Sequence, residues 1–144
     1  MILAGVFWLS VGVVFYAYVG YPLLVALLAR SRGTHPREGE DCPPLTVVVA
    51  AFNEQARIGA RVRDILAQDY PADRLSVLVV SDGSTDGTAT AADIGDARVR
   101  VLALPENAGK ASAINAALAN IDSELVAFTD ARQRFDPRAL RALV

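Results

Sequence analysis

The sequence predicts an α/β protein: a membrane-spanning N-terminal helix, then a parallel-sheet domain with helices on both faces. Two observations carry this. No charged residue occurs between Met1 and Ala29. Beyond it, short runs rich in Val or Leu alternate with stretches whose apolar residues recur at helical spacing. The boundaries so drawn are an anchor over residues 1–30, a linker over 31–44 and a globular part over 45–144.

A helix crossing a bilayer needs roughly 20 apolar residues. At ~1.5 Å per residue, Ile2 to Ala29 reaches about 42 Å, enough to span with tilt. Trp8, Tyr16, Tyr18 and Tyr21 are amphipathic aromatics of the kind found at membrane interfaces. Pro22 falls inside the run and is expected to kink the helix or to start a second short one. A cleaved signal peptide is the rival reading. Against it stand the length of the run and the lack of a basic residue ahead of it. Arg30, Arg32 and Arg37 follow directly, so the positive-inside rule puts the globular part in the cytoplasm, behind a single-pass anchor in the plasma (inner) membrane. Ser31 to Pro44 is polar and rich in Pro and Gly, as a linker is.

Strands are expected at Leu45–Ala51, Leu75–Ser81, Val99–Leu104 and Glu124–Thr129. None alternates cleanly, which is how strands covered on both faces look. Ile58, Val62, Ile65 and Leu66 mark a helix between the first two. Asp86–Ile94 reads as a shorter Ala-rich helix. Ala111, Ile114, Ala117, Leu118 and Ile121 mark another, and a last one is expected from Pro137 with Asp136 as N-cap. This alternation implies right-handed crossovers. In the strand order 3-2-1-4, ligands bind beyond the carboxyl ends of the strands, where the order reverses.

Composition removes several functions. The net charge is −2, so no basic field recruits nucleic acid. Cys42 is the only cysteine and His35 the only histidine, which excludes an intrachain disulfide, a cysteine zinc site, a histidine-based triad and a multi-histidine metal site. Beside Pro43 and Pro44, Cys42 reads as a linker residue, and His35 as solvent-exposed. Neither G-x-G-x-x-G nor G-x-x-x-x-G-K-[ST] is present.

The strand ends carry acids. The first ends in Ala51-Phe52-Asn53-Glu54, the second in Ser81-Asp82-Gly83-Ser84-Thr85-Asp86-Gly87, the fourth in Thr129-Asp130-Ala131-Arg132. Taken singly, Asp86 or Ser84 could cap the next helix, Gly83 and Gly87 could serve a turn, and Lys110 could be a surface lysine. Together they suit a nucleoside diphosphate. Carboxylates accept from ribose hydroxyls or base N–H groups. A hard divalent cation bridges diphosphate oxygens. Gly109-Lys110 offers a helix N-terminus and a point charge. A receiver-type signalling domain also has acids at strand ends and a lysine, but it should lack the anchor and the Asp-Gly-Ser-Thr-Asp-Gly run.

Five segments resemble family 2 glycosyltransferases. They are Val47–Glu54, Gln68-Asp69-Tyr70-Pro71, Val79–Thr88, Glu106–Asn115 and Leu125–Asp130, the last matching the strand that leads to D-x-D. They cover about Leu45 to Leu140, in order and in register. The resemblance implies a GT-A fold, here its Rossmann-like nucleotide-binding half. It further implies a UDP- or GDP-linked sugar donor, Mg²⁺ or Mn²⁺, inversion at the anomeric carbon and a polysaccharide or lipid-linked acceptor. By position, Asp82 would contact the base or ribose. Ala51, Asn53 and Glu54 would line the nucleoside pocket. Asp130 would lie near the ribose and metal, and Lys110 would touch the diphosphate.

Two departures qualify the resemblance. Arg132 stands where the second acid of D-x-D belongs, and a guanidinium cannot ligate a cation. Either Asp130 holds the metal with phosphate and water, or Arg132 neutralises the leaving diphosphate. The sequence also stops before the region that carries the family's catalytic base. No base is assigned, and an inactive fragment that at most binds nucleotide sugar is the alternative. Leu125–Phe128 is then expected to be an unprotected edge and the chain alone marginally stable.

Overall fold

The computed structural model describes residues 2–31 and 42–144. Arg32, His35, Arg37 and most of the expected linker lie outside the described residues. The chain falls into two units, Met1–Arg37 and Glu38–Val144.

In the first unit, α1 (Ile2–Phe15) and α2 (Tyr21–Ser31) are joined by a π-helical turn over Tyr16–Gly20. Pro22 accounts for the turn. Its ring would strike the carbonyl four residues back in a continuous α-helix, and it has no N–H to donate. The Tyr21 N–H reaches back five residues to the Tyr16 carbonyl instead, and the widened turn absorbs the ring. Ile2–Arg30 is long and apolar enough to cross a membrane, by length and composition.

The second unit is a four-stranded parallel sheet in the order β3-β2-β1-β4. Its elements are β1 (Leu45–Ala51), α3 (Gln55–Leu66), β2 (Leu75–Asp82), α4 (Thr88–Ala92), β3 (Val99–Leu104), α5 (Lys110–Leu118), β4 (Leu125–Asp130) and α6 (Ala139–Leu143). The expected strand order holds. β2 extends one residue further than expected, because Asp82 pairs with Leu104, and β4 is shifted by one residue, starting at Leu125 and ending at Asp130, which pairs with Ala50.

Strand alternation sorts the core into two layers. Val47, Val49, Val77 and Val79 point to one face, where Ile58, Val62 and Ile65 of α3 and Leu140 of α6 cover them. Val48, Leu78 and Val80 point to the other, against Ala113 and Ala117 of α5. Small alanines let α5 lie close, and β1 and β2 are sealed on both faces. β4 lies at the end of the sheet, and Phe128 stays half exposed there.

Three expectations change. The Ala-rich helix is shorter than Asp86–Ile94, because the Asp86 carboxylate caps it from outside, accepting from the Thr88 N–H (3.0 Å) and hydroxyl. The last helix begins two residues after Pro137. Asp136 caps the turn between, taking the Arg138 N–H on its carboxylate (3.0 Å). Cys42 is not a linker residue: it is buried in the core, held by Arg74 donating to its carbonyl (2.9 Å).

Candidate functional site

Alternation along the strands decides which side chains meet at the carboxyl rim. In β2 and β4 the even-numbered residues face α5. Asp82 and Asp130 are even-numbered and end their strands, so both arrive on that side. Asp82 is buried. Its Oδ1 accepts from the Ala108 N–H and its Oδ2 from the Gly109 N–H, both at 2.9 Å. Two oxygens with about four lone-pair sites leave capacity for a further donor. Gly83 makes the closure possible. Its φ is +61°, and a Cβ there would stand 2.1 Å from the Asn107 nitrogen. Lys110 opens α5, and its ammonium lies 2.5 Å from Asp130 Oδ1, with both side chains about half exposed.

Ala51, Phe52, Asp82, Gly109, Lys110 and Ala113 surround a cleft of about 180 Å³. That is smaller than the ~300–1,000 Å³ of a complete ligand pocket, and suits one moiety of a nucleotide. Phe52, half exposed on its wall, was not singled out from the sequence. An exposed aromatic ending a buried strand was the available signal.

Asn53 and Glu54 are used differently. Asn53 has φ +54°, a left-handed conformation that Asn tolerates better than most residues. Its side-chain oxygen accepts from the Thr85 N–H (2.9 Å), and its own N–H donates to Ser84 (3.2 Å). The Asp86 carboxylate also accepts from the Gln55 N–H (3.2 Å), and the Glu54 N–H donates to Thr88 (2.9 Å). Most of the Ser84–Thr88 segment therefore stitches the two rim loops together. The Glu54 carboxylate is buried away from the Asp82 cleft. It accepts from Arg132 Nε (2.6 Å) and from Arg57 (3.2 Å). The Arg132 hydrogen bond holds its carboxyl below the ordinary range, against the opposing effect of burial.

The Glycosyl transferase family 2 description matches residues 46–144. The chain belongs to that family. It is 34% identical over 107 residues to a beta-monoglucosyldiacylglycerol synthase of Synechocystis, covering 71% of this chain and 22% of that protein. It is 34% identical over 111 residues to the succinoglycan biosynthesis protein ExoO of Rhizobium meliloti, covering 76% and 31%. The mannosyltransferase PcManGT of Pyrobaculum calidifontis, solved with GDP-Man and Mn²⁺, superposes with a TM-score of 0.70 at 32% identity, over 90% of this chain and 41% of that one. The GT-A fold is thus shared, and this family 2 chain spans less than half the length of each of these proteins.

The donor set bears on the family's metal. Among the described residues no three of His, Cys, Asp and Glu cluster. Asp130 offers one carboxylate, and Arg132 fills the second position of the motif. One carboxylate suits a Mg²⁺-like ion that takes its other ligands from substrate phosphates and water, and does not suit a protein-built cage.

Arg61, like Phe52, is not singled out by the sequence. It is 3% exposed on α3. It pairs with Asp64, donates to Thr129 Oγ1 (2.7 Å), and its guanidinium stacks 4.1 Å from the Phe135 ring centre. It therefore ties the end of β4, one residue before Asp130, to α3. The signal was present: Arg61 falls three residues after Ile58 and four before Ile65, on the apolar face.

Proposed function

We propose that the rim binds the donor of an inverting, membrane-bound glycosyltransferase, which passes a sugar from a UDP- or GDP-linked donor to a polysaccharide or lipid-linked acceptor. The observation that carries this is the meeting of Asp82 and Lys110, at the start of α5, on one cleft, with Asp130 paired to that lysine. Asp82 accepts from a ribose hydroxyl or base N–H while its backbone partners hold it still. Phe52 offers a face for the base to stack on. Lys110 leaves Asp130 for the diphosphate, which would free Asp130 to ligate Mg²⁺ or Mn²⁺. A bound ion would neutralise charge on the leaving diphosphate. Arg132 spends its Nε–H on Glu54 and does not line the donor cleft.

The lipid and polysaccharide products named for relatives, and the apolar Ile2–Arg30 helix, support a single-pass inner-membrane anchor with the globular part cytoplasmic. Among the described residues Asp82, Asp130 and Glu54 are held by the Ala108 N–H, Lys110 and Arg132, and no base for an acceptor hydroxyl is assigned to any of them. Donor binding without transfer is therefore the second reading.

The test is calorimetric titration of the full chain in detergent with UDP and with GDP, each with Mn²⁺. One nucleotide should bind, and Asp82→Ala should weaken it by about 1–3 kcal/mol, the cost of losing a charged acceptor. Unchanged affinity in Asp82→Ala would refute the placement.

A further inference from the structure

Another cleft lies on the opposite side of the rim from Asp82. It holds about 650 Å³ between α3 and the loop after β4. Arg57, Arg61, Arg63, Arg132 and Arg134 line it, with Asp64 as the one acid among its lining residues. Five of the chain's 14 basic residues thus meet in one place, although the whole chain is net negative. Glu54 pairs with Arg57 and Arg132, and Asp64 with Arg61. Arg63 and Arg134 have no ion pair among the described residues. Arg61 is buried, yet its Nε–H finds no acceptor among them. Buried donors are normally satisfied. Crowded like charges repel unless an anion neutralises them.

We propose that this cleft is a second anion site, separate from the donor cleft, that takes a phosphate group of the acceptor; its assignment to the acceptor rests on the function proposed above. Guanidiniums match phosphate oxygens bidentately. A phosphate ester carries about −1.5 to −2 charge, closer to what this cleft lacks than a single carboxylate. The cleft shares no lining residue with the donor cleft. Ala131 and Arg132 directly follow Asp130, so a group held here lies beside the strand end that faces the donor.

The experiment titrates the full chain with inorganic phosphate and reads the arginine Nε–H resonances, alongside UDP and GDP titrations. Phosphate should shift the Arg61 signal. In Arg63→Gln/Arg134→Gln, two substitutions outside the core, phosphate affinity should fall at least tenfold while nucleotide affinity holds. Asp82→Ala should do the reverse. No shift at Arg61, or undiminished phosphate binding in the double variant, overturns the site. A parallel fall in nucleotide affinity also overturns it, by giving the cleft to the donor's own diphosphate. Phosphate binding with no nucleotide binding in the wild type would sink the donor reading and leave the anion site standing.

Discussion

The two sides of the carboxyl rim carry opposite charge and hold it in different ways. Toward α5, Asp82 and Asp130 are satisfied by two backbone N–H groups and one half-exposed lysine. Toward α3, arginines dominate, and the most buried of them is locked by Asp64, Thr129 and Phe135. The first arrangement can exchange its lysine for a ligand at little cost to the fold. The second cannot give up Arg61 without losing the tie between α3 and β4. Charge on one side is therefore exchangeable, and part of the charge on the other is structural.

Arg61→Met tests that contrast most severely. Methionine keeps the apolar stem but leaves Thr129 and Asp64 without their partner. Breaking a buried pair costs about 3–5 kcal/mol, and the lower end applies because Asp64 is 32% exposed and rehydrates. Urea unfolding of the globular unit should show that loss. A change below about 0.5 kcal/mol, the range of ordinary surface substitutions, would mean that the tie is decorative.

Lys110→Met should give the opposite pattern. An exposed pair contributes little, so stability should move by less than about 1 kcal/mol. Affinity for UDP or GDP should fall about tenfold, the loss of roughly one charge-assisted hydrogen bond. The plain nucleoside, without phosphates, should bind as before. Equal loss for nucleoside and nucleotide would place Lys110 at the base instead.

The sheet was largely legible because β1 and β2 are buried on both faces and write that into continuous apolar runs. The α5 side of the site was legible for a related reason: Asp82 and Asp130 end their strands, and strand parity carries them to one face. Glu54 follows a strand but sits at the start of α3, where parity no longer applies, and its carboxylate turns to Arg132. Asp86, which the sequence offers as a helix cap, serves two helix starts. Arg61 escaped because an arginine on a helix is read as solvated, and only the third dimension supplies Thr129 and Phe135.

The smallest effect lies where the two sides meet. Glu54 holds Arg132, and that hydrogen bond is the main cause of its lowered pKa. A carboxyl whose pKa is lower folded than unfolded stabilises fully above its unfolded value, about 4.3 for Glu, and loses that contribution as the pH falls through the native value. Glu54→Gln removes the titration. The stability difference between wild type and Glu54→Gln should be constant from neutral pH down to about pH 5 and shrink in more acid solution. It should stay modest, because Arg132 is 74% exposed and solvent screens the pair. A difference that kept its full size well below the ordinary carboxylate range would mean that Glu54 contributes through packing alone. In that case Arg132 would already be available to an anion at neutral pH, and the charge contrast across the rim would be sharper than the ion pair suggests.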